Sequence, residues 1–122
     1  HLARHRTLLY RSPNGILNWH AKTSDGWQDV QTFPAFISNL GQALVDEALN
    51  GAGLALVPCW GVGTHLAQDR LVKIVLQDAI LSVSQNPNLG IYLIYHRPKY
   101  RLKKIQVAVD LLVSELAEKK WA

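Results

Sequence analysis

The single cysteine and the histidine six residues after it are the residue types in this sequence that could do covalent chemistry. A thiol at Cys59 and an imidazole at His65 are the nucleophile and base of many enzymes. The usual partners of such a pair come from distant segments of a chain, whereas these two lie close in sequence. We therefore expect no enzyme and no catalytic residue. A thiol-dependent activity that Cys59→Ser abolishes would contradict this expectation.

The sequence supports a metal site or a nucleotide site even less than it supports covalent catalysis. The other histidines include His5 in a basic lead, His20 near a turn and His96 at a predicted strand end. No pair has the i, i+4 spacing on a predicted helix that suits a metal ion. The GVG at residues 61–63 lacks the third glycine of a dinucleotide-binding loop, so we interpret it as a flexible loop. We predict no metal and no cofactor.

Composition indicates an ordinary globular domain. Of 122 residues, 48% are hydrophobic and 18% are charged, which excludes a disordered tail. The formal net charge is +4, and the basic residues collect toward both ends without aromatic interleaving, so we interpret them as a solvated surface. One cysteine and the lack of a ~20-residue apolar run predict a cytoplasmic protein without membrane contact. Because there is no methionine and the chain begins with His1, we expect a part of a longer protein.

The elements that would position these residues alternate between strands and helices. Strands are predicted at 7–10, 35–37, 54–57, 71–76 and 91–95, and a further extended segment at 30–33. The apolar run 54–57 is typical of a strand buried on both faces, and 91–95 (IYLIY) of a long, half-buried strand. Helices are predicted at 40–49, 64–69 and 102–120.

Turn and cap residues separate these elements. The stretches 12–15 and 24–26 predict tight turns in a hairpin-like or meandering edge. Pro34 divides two extended segments because it lacks a backbone donor. Gly51 is predicted to end the first helix in a left-handed conformation, and Gly53 to let the chain pass close to it.

The order of these motifs resembles the effector-binding domain of LysR-type transcriptional regulators. The resemblance rests on H-L-x-x-H-R at the start, NGAGLALVP after the small-residue helix, DRLVKIVL, IYLIYHRPKY and a final helix. The residues in step with the family pattern are Gly51, Gly53, Pro58, Arg70, Leu71, Val72, Tyr92 and Tyr95. It covers nearly the whole chain.

The resemblance implies an α/β, periplasmic-binding-protein-like (type II) fold, with a small effector in a cleft between two subdomains. It assigns the whole chain, 1–122, to a partial effector-binding domain. Residues 8–84 would form the second α/β subdomain, and 91–122 a return strand and closing helix. The family reads DNA through an N-terminal winged helix-turn-helix, which has no counterpart here. The expected role is ligand sensing for a regulator, with DNA bound only through that other domain; a free-standing solute-binding module of similar fold is the alternative.

Candidate effector-binding residues come from the strand ends, where open α/β sheets bind ligands. They are Tyr10, Ser12, Asn39, Leu40, Pro58, Cys59 and Trp60. Asn39 and Leu40 open a helix whose free amides could hold a carboxylate, although Asn39 could equally be a simple helix cap. For Cys59 the alternative is a small buried hydrophobe, and for Trp60 it is packing in the core or between subunits.

The predicted closing helix has one apolar stripe. Its residues are Ile105, Val109, Leu112, Val113 and Leu116. Without the sheet of a first subdomain this stripe would be exposed, and exposed apolar patches drive association. We therefore expect a homo-oligomer, formed for instance by segment exchange, and a monodisperse monomer in light scattering would contradict this.

Overall fold

The computed structural model of the chain describes residues 2–86 and 88–118. They fall into two compact units divided after Pro87, here called the first unit (2–86) and the second unit (88–118). The strands of the first unit are β1 (Arg6–Ser12), β2 (Gly15–Ile16), β3 (His20–Thr23), β4 (Gly26–Asp29), β5 (Phe33–Ser38), β6 (Leu54–Ala55) and β7 (Ile80–Ser82). Its helices are α1 (Gly41–Leu49) and α2 (Cys59–Ala67), and the second unit contains α3 (Lys103–Glu118). The predicted α/β class is confirmed.

Strand β1 is the centre of the first unit. It pairs in parallel with β5 and with β6, and antiparallel with β2. Helix α1 packs against this sheet and contributes the buried Leu44 and Val45. The side chains that form the core are Leu8, Leu9, Trp19, Leu44, Val45 and Val62. Burial of β1 between two parallel neighbours and a helix confirms the strand predicted at 7–10.

Strand β5 contains an irregularity at its proline. Thr7 pairs with Pro34 and Leu8 pairs with Phe36, so Ala35 is an extra residue in the ladder, as in a β-bulge. Bulges and edges are where a strand tolerates proline. The strand therefore runs through Pro34 instead of ending there. The extended segment predicted at 30–33 is wrong except at Phe33, because residues 30–32 belong to no strand.

A second, antiparallel sheet has the order β4–β3–β7. The β3–β4 turn is held by the Thr23 hydroxyl, which accepts from the Asp25 amide at 3.2 Å and donates to the Gly26 carbonyl at 3.2 Å. The Ser12 hydroxyl makes the equivalent bonds to Asn14 and Gly15 in the β1–β2 turn. Both predicted turns, at 12–15 and 24–26, are confirmed.

Helix α1 ends as predicted but begins differently. Gly51 has φ of +74°, in the left-handed region, and closes the helix. Gly53 passes so close to β1 that a Cβ there would lie 2.5 Å from the Arg6 carbonyl oxygen. The cap residue is Leu40, without a side-chain cap bond, so the interpretation of Asn39 as the helix cap is wrong. Ser38 turns the chain before the helix, since its hydroxyl accepts from the Leu40 amide at 3.1 Å.

Two predictions next to α1 are also wrong. The strand predicted to be buried on both faces at 54–57 is the two-residue β6, and its side chains are only half-buried. The helix predicted at 64–69 is α2, which begins five residues earlier, directly after Pro58. Residues 61–63 are therefore helical and not a flexible loop. Pro58 lies directly before the first turn of α2, and proline is common at helix starts. Gly61 and Gly63 have low helix propensity, so the sequence pattern did not indicate a helix there.

The strands predicted at 71–76 and 91–95 are absent from the structure. Neither segment has a ladder partner, and large apolar side chains in both are exposed, including Val72 at 83% and Ile94 at 90%. A strand is stabilised by pairing with a neighbour, and β propensity alone does not supply one. The burial predicted for 91–95 is thus contradicted as well.

The second unit consists of a short 3-10 turn, Arg97–Arg101, followed by α3. The helix predicted at 102–120 is confirmed over the described residues, and 119–120 lie outside them. Tyr100 links the turn to the helix, since its ring centroid lies 5.2 Å from that of Tyr95 and its hydroxyl donates to Asp110 Oδ1 at 3.0 Å. Among the described residues, no helix has the length and apolarity needed to cross a bilayer.

Candidate functional site

The carboxyl ends of the three parallel strands meet at one edge of the sheet. Tyr10 of β1 pairs with Ser38 of β5, and Leu8 pairs with Ala55 of β6, so the segments that follow these strands leave at the same end. The last residues of β1 and the segments that follow β5 and β6 carry the candidate residues from the sequence: Tyr10, Ser12, Asn39, Leu40, Pro58, Cys59 and Trp60. This set is called the sheet edge below. In open α/β sheets ligands bind outside this end of the strands.

The side chains of the sheet edge differ in exposure. Asn39 and Pro58 are exposed, Leu40 is 60% exposed and Trp60 is 54% exposed, whereas the Cys59 thiol is half-buried and free. Exposure of Trp60 rules out its packing in the core of this chain. Half-burial of Cys59 likewise contradicts a fully buried hydrophobe.

The half-buried candidates at the end of β1 are already engaged in local structure. The Ser12 hydroxyl is occupied by the β1–β2 turn. Tyr10 accepts at its backbone carbonyl from the Leu17 amide at 2.9 Å. The Ser12 hydroxyl and the Tyr10 carbonyl are therefore engaged in the hairpin. A ligand would contact the Tyr10 side chain more readily than the Ser12 hydroxyl.

Helices α1 and α2 both begin at the sheet edge, and neither has a side-chain cap. The cap residues Leu40 and Pro58 make no side-chain bond to the first turn. The first amides of a helix have no partner within the helix and carry the positive end of its dipole. The Gln42 side chain does not compensate, because it donates to Asp46 Oδ1 at 2.9 Å, one turn along the helix. The third amide of each helix bonds to the carbonyl of the cap residue, Ala43 to Leu40 at 3.1 Å and Gly61 to Pro58 at 3.0 Å, so each helix start presents its first two amides as available backbone donors.

The arrangement of Cys59 and His65 does not suit a nucleophile and base. Both lie on α2, and six helical residues separate side chains by about 9 Å along the axis and by about 240° around it. The Nδ1 of His65 is buried without a hydrogen-bond partner instead of meeting the thiol. Within residues 2–86 and 88–118, no group of three His, Cys, Asp or Glu side chains has the geometry of a metal site.

Sequence reasoning did not identify one concave feature of the first unit. This is a cavity of about 750 Å³, walled by β6, α2 and the segment 71–76, and called the apolar cavity below. Pro58 and Cys59 are among its lining residues, whereas the other residues of the sheet edge are not. The sequence signal for this cavity is the apolar run at 71–76, for which the sequence predicted a strand instead of a cavity wall.

Comparison with known proteins gives a consistent result. The family model of the LysR substrate binding domain matches residues 1–117. The HTH-type transcriptional activator TtdR of Escherichia coli (strain K12) is 28% identical over 116 residues, which are 93% of this chain and 34% of that protein. TtdR of E. coli (strain UTI89) has the same identity and coverage. No solved structure matches the chain. The chain spans about a third of the length of these relatives, and by its family match it belongs to the LysR substrate binding domain family.

Proposed function

We propose that this chain is the effector-sensing part of a LysR-type transcriptional regulator, and that a small anionic effector binds at the sheet edge. One observation carries the proposal: α1 and α2 both begin at that edge without a side-chain cap. Family membership supports the regulatory role, since the relatives named above are transcriptional activators.

The physical basis is the shared anion preference of two helix starts. Each supplies unpaired amides and the positive end of a dipole, which favours a negative charge by about 0.3–1 kcal/mol at an exposed site. Hydrogen bonds from amides to a charged acceptor contribute about 1.5–3 kcal/mol each. Arg11 is exposed among the last residues of β1, so that strand end also carries a positive charge. A carboxylate or a similar small anion is therefore the favoured effector chemistry.

The proposed fold is periplasmic-binding-protein-like, with 8–84 as the second subdomain and 91–122 as the segment that contains the closing helix α3. In that arrangement a first subdomain faces the sheet edge across a cleft, and a DNA-binding domain elsewhere in the protein reads the operator. An effector that binds one cleft geometry better than another shifts the regulator toward that state. Exposed apolar residues on α3, such as Leu111 at 57% and Val113 at 54%, support the proposed homo-oligomer.

The test removes one helix-start donor. Gly41→Pro deletes the first amide of α1 and keeps the helix, because proline is favoured at the first helical position. Leu40, with φ −108° and ψ 110°, already has the extended backbone that precedes a proline. Gly41→Ala is the matched control, since it retains the amide and its Cβ meets nothing within 4 Å.

Thermal shift of the chain with acetate, succinate, benzoate, phosphate and sulfate selects the anion that binds best, and calorimetry then compares the two variants. Gly41→Pro is expected to weaken binding about ten-fold or more, and Gly41→Ala to leave it unchanged. The proposal is overturned if no anion of the panel raises the melting temperature, or if both variants bind equally.

A further inference from the structure

The apolar cavity lies within the first unit and has the dimensions of a ligand site. Its volume of about 750 Å³ falls inside the range of about 300–1,000 Å³ that is usual for small-molecule pockets. Its walls are the side chains of α1, β6, α2 and the segment 71–76, with Val45, Leu54 and Val62 among them. Such a cavity favours a ligand with a large apolar body.

Charges at the cavity are of one sign. The lining contains two cationic side chains, Arg70 and Lys73, and no acidic one. Both cations are solvent-exposed, so they lie at the rim and not in the floor. Val72 and Val75 are 83% and 77% exposed on the same segment and would be covered by an apolar ligand seated there. The cavity is thus complementary to an apolar body with an anionic end.

We propose that the apolar cavity binds an amphiphilic carboxylate, such as a medium-chain fatty acid, with its hydrocarbon against Val45, Leu54 and Val62 and its carboxylate at Arg70 and Lys73. This site is separate from the sheet edge and shares only Pro58 and Cys59 with it. The two proposals fail independently, because the edge is tested with short polar anions through Gly41 and the cavity with an amphiphile through residues away from that glycine.

Cys59 provides a built-in reporter. It is the only cysteine of the chain, its thiol is half-buried, and it lines the cavity. The rate at which Cys59 reacts with a thiol-specific disulfide reagent is measured with and without decanoate, kept below its micelle concentration. Bound decanoate is expected to slow the reaction more than ten-fold beyond any effect of succinate at the same concentration.

Three variants locate the binding. Ala48→Phe places a ring in the cavity wall contributed by α1 and is expected to abolish protection by decanoate. Ala43→Phe, the same change on the same helix away from the cavity lining, is the matched control and keeps it. Combined Arg70→Ala and Lys73→Ala is expected to weaken decanoate binding about four- to twenty-five-fold without affecting decanol, since exposed ion pairs contribute about two- to five-fold each.

If a variant fails to fold, the measurements of Cys59 protection by decanoate and decanol on the wild-type protein still decide the proposal. Lack of protection by decanoate overturns the site. Equal protection by decanoate and decanol overturns the anionic half of the proposal. Protection that survives in a folded Ala48→Phe variant places the amphiphile elsewhere and overturns the assignment to the cavity.

Discussion

The two units use apolar residues in opposite ways. In the first unit the apolar runs of β1 and α1 meet each other, so that Leu8 and Leu44 are each only 1% exposed. In the second unit IYLIY and the stripe of α3 are equally apolar, yet no described residue of 88–118 is buried. Composition is therefore not what separates them. The difference is that within the first unit the apolar segments pack against one another, whereas within the second unit they do not, and this gives the second unit little stability of its own.

The largest expected effect tests this contrast directly. Leu44→Ala removes a fully buried side chain and should lower the free energy of unfolding by about 2–5 kcal/mol. Leu112→Ala makes the same change on α3 at a side chain that is 45% exposed, and should change it by at most about 0.5 kcal/mol. Urea denaturation of both variants gives the comparison. Equal losses would show that the second unit has a core after all.

A smaller effect separates close packing from open space within the first unit. Gly53→Ala forces a Cβ to within 2.5 Å of the Arg6 carbonyl oxygen, so we expect a loss of about 1–3 kcal/mol in thermal or urea unfolding. Gly41→Ala meets no atom within 4 Å and should be neutral or stabilising by up to about 1 kcal/mol. If Gly53→Ala were neutral, β6 would not be held against β1 as described.

The smallest effect reports whether the second unit keeps its local structure. The hydrogen bond to the Asp110 carboxylate, with a smaller contribution from desolvation, raises the pKa of Tyr100 above 10.0. Asp110→Asn removes the negative charge, so the pKa of Tyr100 should fall back toward 10.0. Ultraviolet titration of tyrosinate, with Tyr100→Phe identifying the signal, measures this. An unchanged titration in Asp110→Asn would mean that the 3-10 turn does not pack on α3.

What could be predicted from sequence depended on how local the cause was. Gly51 ends α1 and Ser12 and Thr23 hold turns through bonds spanning two or three residues, so residue type alone indicated them. The strands at 71–76 and 91–95 failed because pairing depends on residues far away in the chain. The start of α2 was predicted too late for a local reason. Its glycines have low helix propensity and lie in the first turns of the helix that follows Pro58.

The candidate site followed the same rule. Strand ends are marked by local signals, and because three parallel strands share a direction, the seven candidates lie at or after the same end of these strands. Their role in binding an effector stays a prediction. The apolar cavity was missed since it is made by segments that are distant in sequence, β6, α2 and 71–76. The prediction that Asn39 caps α1 was wrong by one residue. The cap residue is Leu40, whose side chain cannot accept a hydrogen bond, so the amides of the first turn have no side-chain partner.

Proline in β5 has a consequence for solubility. β5 pairs with β1 on one side only, so its other side is an open edge of the parallel sheet among the described residues. Open edges invite strands of other molecules to add to the sheet and begin aggregates. Pro34 offers no N–H, and the bulge at Ala35 bends the strand out of register. The irregularity in β5 thus disfavours edge-to-edge stacking at the amino-terminal end of the strand, and it leaves unchanged the carboxyl-terminal end, where the effector is proposed to bind.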